Sequence, residues 1–97
     1  MNERLPLPSD LPLELHRQYR FQWEPAQESF VLLFPEGMVK LPGSAGEIMK
    51  RLDGTRTADD IVNDLEAAFP GTDLRADVIG FLEIAHGKGW IGPKEAR

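Results

Sequence analysis

The sequence predicts one α+β domain, a three-stranded antiparallel sheet followed by three helices. Three observations predict it. Alternating and apolar runs that suit strands fall before residue 42, and apolar residues at helical spacing fall after it. Short clusters of turn-forming residues separate the runs. A length of 97 residues holds one hydrophobic core and not two.

The elements follow in order. Residues 1–15 carry Pro6, Pro8 and Pro12 among Leu5, Leu7, Leu11, Leu13 and Leu15. Proline at that density excludes a helix and favours extended backbone, which the leucines equip to dock on this molecule or a neighbouring one. A domain over 16–92 and a tail over 93–97 are expected beyond it. Tyr19, Phe21 and Trp23 alternate with Arg20 and Gln22, placing three aromatics on one face of a first strand. Ser29 to Phe34 is apolar at both parities, as in a more buried strand. Pro35-Glu36-Gly37 makes a turn, and Met38 to Leu41 a short third strand.

Ser44 with Glu47 has the spacing of a capping box, and Ala45, Ile48, Met49 and Leu52 form one helical face that Gly54 ends. Thr57 with Asp60 opens a second helix, with Ile61, Val62, Leu65 and Phe69 inward and Pro70-Gly71 as the stop. The third begins near Asp73 and turns Leu74, Val78, Phe81, Leu82 and Ala85 to the core. Gly87 and Gly89 close it before a short extended piece at Trp90-Ile91.

Composition narrows the function. Cysteine is absent, which excludes a disulfide framework, thiolate zinc sites, iron–sulfur ligation and a cysteine nucleophile. Phe30 to Phe34, the longest apolar run, is far too short to span a bilayer. Met1-Asn2-Glu3-Arg4 opens no apolar stretch, so a cytoplasmic address without a signal peptide or membrane partner is expected. The net charge of −5 disfavours phosphate and suits a neutral or basic peptide.

The motifs that hint at chemistry have structural readings. Gly87-Lys88-Gly89-Trp90-Ile91-Gly92 spells the dinucleotide fingerprint but follows a helix and runs into Pro93, so its glycines read as helix stops. His16 and His86 lie at no metal-ligand spacing. Asp59, Asp60, Asp64 and Glu66 read as a solvated helix face, and no serine stands in a nucleophile elbow. Helices on a small sheet also describe a winged-helix DNA-binding regulator, the alternative reading. Its recognition helix needs bases, whereas the third helix offers Arg75 against Asp73, Asp77 and Glu83.

The stretch Leu41-Pro42-Gly43-Ser44-Ala45-Gly46-Glu47-Ile48-Met49, with Leu52-Asp53-Gly54, Thr57 and Asp60-Ile61-Val62, resembles the pyrroloquinoline quinone (PQQ) biosynthesis protein D family. So do Arg20 to Phe30, Phe81-Leu82 with Gly89-Trp90-Ile91 and, most distinctively, Phe34-Pro35-Glu36-Gly37-Met38-Val39-Lys40-Leu41. The similarity spans residues 19–91. It implies a winged helix-turn-helix-like recognition domain with no catalytic residues and no cofactor or metal of its own. Its implied partners are a ribosomal precursor peptide (PqqA-type) and a radical S-adenosylmethionine (SAM) enzyme (PqqE-type) that cross-links Glu and Tyr within that peptide. In such domains the leader adds as a strand beside the third strand and packs on the third helix. Here that implies a peptide site of Met38, Val39, Lys40, Leu41, Val78, Phe81, Leu82 and Ala85. An unpaired strand edge can complete its ladder with an extended peptide. Ladder bonds of about 1 kcal/mol each, plus apolar side chains at about 1.5–3 kcal/mol apiece, give a roughly micromolar complex after association costs.

Overall fold

A computed structural model describes residues 5–8, 10–71 and 73–94. The elements run β1 (Leu13–Leu15), β2 (Arg20–Glu24), β3 (Ser29–Phe34), β4 (Gly37–Leu41), α1 (Gly43–Met49), α2 (Ala58–Ala68), α3 (Arg75–Gly87) and β5 (Ile91–Pro93). The expected antiparallel meander is present, ordered β2-β3-β4 with β3 central. The residues opposite one another include Trp23 with Phe30 and Leu32 with Val39. One sheet face therefore carries Phe21, Phe30, Leu32, Val39 and Leu41, and the helices pack on it. Leu32, Ile61, Val62, Leu82 and Ile91 are fully buried at its centre.

A second, two-stranded ribbon, β1 with β5, was not legible. Leu13 of the proline-rich start is completely buried, and the Lys94 N–H donates to the Pro12 carbonyl at 2.8 Å. Leu13–Leu15 and Pro93 thus belong to the packed fold, and boundaries at 15/16 and 92/93 would cut the ribbon. Farther upstream, Leu5 donates its N–H to the Glu83 carbonyl, and the His86 Nδ1 lies 3.1 Å from the Pro6 carbonyl oxygen. This start therefore docks on its own chain, along α3. Residues 1–4 of the start and 95–97 of the expected tail lie outside the described residues.

The Thr57–Asp60 capping box forms as expected: Thr57 Oγ1 accepts from the Asp60 N–H, and Asp60 accepts from the Thr57 N–H. The Ser44–Glu47 box does not. Pro42, in extended conformation, precedes the helix, and its carbonyl accepts the first helical bond from Gly46. Glu47 is drawn forward to Lys50 and Arg51 and so is unavailable to reach back. α1 also ends earlier than expected, at Met49, with Leu52 buried from a tight turn beyond it. Gly54, at φ +83°, serves instead where the backbone meets β1. Its N–H donates to the Leu13 carbonyl, and a β-carbon there would lie 3.1 Å from Lys94 Cδ. At the end of α3 the Trp90 N–H reaches the Ala85 carbonyl past Gly89 at φ +78°, so the glycine run is a helix stop.

Gly46 seats α1 on the sheet. A β-carbon there would sit 2.7 Å from Cδ2 of Phe30, whose ring is held by Phe21 (4.8 Å between centroids) and Trp23 (5.1 Å). Gly46→Ala gains up to about 1 kcal/mol of helix propensity but costs about 1–3 kcal/mol in overpacking. A lowered melting temperature in calorimetry is expected. An unchanged or raised value would contradict this packing.

Candidate functional site

β4 is an edge strand, as is β2, since only β3 pairs on both sides. What distinguishes the β4 edge is where it leads. Beyond Leu41 the chain turns through Pro42-Gly43 into α1, and two hollows meet at Pro42, Gly43 and Glu47. The smaller, about 530 Å³, lies towards Trp23, Phe30 and Lys40. The larger, about 780 Å³, runs between α1, the end of α2 and the first half of α3. Its apolar walls include Ile48, Phe69, Leu74 and Phe81, with Ser44 and Asp77 as polar residues.

The residues expected at the peptide site divide three ways. Met38 and Lys40 are exposed on the edge strand, and by strand parity their side chains project away from the helices. Val39 is half-buried against the core and Phe81 half-buried on the groove wall, where Val78 also contributes although nearly covered. Leu41, Leu82 and Ala85 point into the core, with 3%, 0% and 0% of their surface exposed. Leu82 and Ala85 thus offer no apolar wall to a ligand. They hold α3 in place, because the stripe at i, i+3, i+4 and i+7 is wider than the face left open. The Leu41 backbone is likewise occupied, being paired with Phe30.

Phe69 is the residue that sequence reading misplaced. It was expected on the buried face of α2, yet it is 48% exposed on the groove wall. α2 ends at Ala68, and Phe69 adopts φ −127°, ψ 71°, which swings its ring off the helical stripe. Pro70 is the signal that could have found it, since proline disfavours helical backbone in the residue before it.

Hydrogen bonds fix the groove walls from behind. Arg51 donates to the Glu47 carbonyl at 2.7 Å and to Asp64 at 2.6 Å, tying α1 to α2. Glu66 accepts the Leu74 N–H at 3.0 Å, tying α2 to the start of α3. Arg75, the base that a DNA-reading helix would present, is instead paired with Asp59 at 2.6 Å. Hydrogen bonds from Lys50 and then Arg51 hold the Glu47 carboxyl below its ordinary 4.5. The Thr55 hydroxyl and backbone N–H likewise hold Asp53 below its ordinary 3.8. Among the described residues no helix is long and apolar enough to cross a membrane.

A free strand edge leading into an apolar groove, on a sheet with helices on one face, makes this a small α+β domain of winged-helix-like kind. The family model described as coenzyme PQQ synthesis protein D (PqqD) matches residues 29–91, and the chain belongs to that family. It is 50% identical over 76 residues to a PqqA binding protein of Stutzerimonas stutzeri strain A1501, covering 77% of this chain and 83% of that one. Identity to the PqqA binding protein of Azotobacter vinelandii is 50% over 84 residues, covering 86% and 90%. The fold matches, at TM-score 0.73 and 25% identity, the solution structure of the PqqD truncation of Methylobacterium extorquens PqqCD, over 94% of this chain and 98% of that one. That structure represents a functional, stand-alone recognition element for ribosomally synthesised and post-translationally modified peptides.

The lowered carboxyls set the acid response. A carboxyl whose folded value lies below its unfolded one adds stability above the unfolded value and loses it as pH falls through the folded one. Stability should therefore fall below about pH 4.5, the ordinary value of Glu47. Glu47→Gln should shrink the difference in urea midpoint between pH 7 and pH 3, and an unchanged difference would contradict the Glu47 contacts.

Proposed function

We propose that this chain is a non-catalytic peptide chaperone of PQQ biosynthesis, acting in the cytoplasm. It binds the ribosomal precursor peptide of the PqqA type as an added strand on β4. It presents that peptide to a radical SAM enzyme, which joins a Glu and a Tyr within it. The observation that carries the reading is the free β4 edge continuing into the apolar groove at Pro42-Gly43. The names of its relatives support the identity of the peptide.

The two parts of the site divide the work. The outward backbone groups of Met38 and Lys40 offer ladder bonds that any extended peptide satisfies, so they supply affinity with little selectivity. The groove supplies the selectivity, because Phe69 and Phe81 reward an apolar side chain and reject an unpaired polar one. The acid–base and redox chemistry belongs to the enzyme. The chaperone's contribution is to fix the peptide in one extended conformation, which lowers the entropy that the enzyme must remove.

Titration of isotope-labelled chain with precursor peptide should shift amides of Met38–Leu41 and of the groove wall. Shifts confined elsewhere would contradict strand addition. Along β4 the N–H groups of Met38 and Lys40 face the free edge, since Gly37, Val39 and Leu41 pair with β3. Lys40→Pro removes one of them and should weaken binding in a variant that still folds; unchanged affinity would place the ladder elsewhere. Phe69→Ala removes a half-exposed ring and should weaken binding about tenfold or more, the equivalent of roughly 1.5–3 kcal/mol of lost burial. Its thermal stability should change little. Calorimetric titration checks both.

A further inference from the structure

We propose that the sheet face turned away from the helices is a second docking surface, for a carboxylate-bearing, partly apolar patch on a folded protein partner. Register places Arg20, Leu33 and Met38 in one row across the three strands, and Gln22, Val31 and Lys40 in the next. The core takes Leu32 and Leu41 from the opposite face. On this face Arg20, Gln22, Met38 and Lys40 are exposed, Leu33 is half-buried and Val31 is fully covered, with Met38 44% exposed. An apolar centre thus lies between two cations placed diagonally across the sheet.

Charge decides which partner fits. The chain has 16 acids against 11 bases, so carboxylates are in excess. Lys50, Arg51, Arg56 and Arg75 each pair with at least one. Arg20 and Lys40 have no carboxylate partner among the described residues, although they share a face with apolar side chains. Cations held there steer an acidic surface into register, and the Leu33–Met38 centre retains it by burial. Two cations neutralise too few phosphates to hold nucleic acid at physiological salt.

The face adjoins the β4 edge through Met38 and Lys40, so a peptide on that edge would lie beside a protein on this surface. On the reading given under Proposed function, from which only the choice of partner comes, that protein is the radical SAM enzyme.

The test uses the full chain, the cognate radical SAM enzyme and the precursor peptide. Arg20→Glu, and separately Gln22→Glu, reverse or oppose the face's charge at exposed positions outside the peptide site. Each should weaken association with the enzyme, Arg20→Glu by about tenfold, and the wild-type complex should weaken as salt rises. Peptide affinity should stay within about twofold, since both residues lie off the β4 edge. Unchanged enzyme affinity in both variants, or no association of wild type, overturns the proposal. So does dimerisation of wild type, or retention of duplex DNA, that Arg20→Glu abolishes, because the face then has another occupant. If the enzyme binds through Arg20 but wild type binds no precursor peptide, the docking surface stands and the peptide reading falls.

Discussion

The ring of Phe30 lies so close to the backbone of Gly46 that only a residue without a side chain fits between helix and sheet there. That approach seats α1 on β3 and puts the Pro42-Gly43 turn directly past the end of β4. The two hollows meet at this turn, so the position of the groove relative to the free edge follows from a single helix–sheet contact. The ring is itself braced by Phe21 and Trp23, and the Lys50 ammonium sits 5.0 Å from its centroid. A larger residue at 46 would lift α1 and open the junction.

The two faces of the sheet carry different burdens. One is committed to stability: Leu32 and Leu41 lie in a core shared with all three helices and with Leu13 and Ile91 of the ribbon. The other holds no helix among the described residues and keeps its cations unpaired. Between them lies the β4 edge, whose unpaired backbone groups are a liability unless something completes or guards them. Lys40 on that strand discourages self-pairing, and the apolar groove opens just beyond it.

Much of this was legible in the residues. Alternation placed Phe21 and Trp23 on one face of β2, where the register sets them against Leu32 and Phe30, whereas Ser29–Phe34, apolar at both parities, does not itself say which face the helices take. Thr57 and Asp60 marked a helix start that forms with both bonds. Ser44 and Glu47 had the same spacing but no box, because the helix already starts at Gly43 with Pro42 as its cap, which leaves Ser44 inside it, and Glu47 is drawn forward to Lys50 and Arg51. The β1–β5 ribbon joins residues nearly eighty positions apart, and no local period announces such a pairing. The candidate site was half legible. The β4 edge and Phe81 could be read from the chain, whereas Phe69 reaches the groove only through its backbone departure before Pro70, and Leu82 and Ala85 are covered by packing that a helical stripe alone does not reveal.

The central claim is that an extended peptide pairs with β4 and reaches the groove past Pro42. Isotope-edited nuclear Overhauser measurements on the complex with precursor peptide test it most directly. The account predicts cross-strand contacts from the peptide backbone to Met38–Leu41 and side-chain contacts to the rings of Phe69 and Phe81. Contacts along the free edge of β2 instead, with none to either ring, would contradict it.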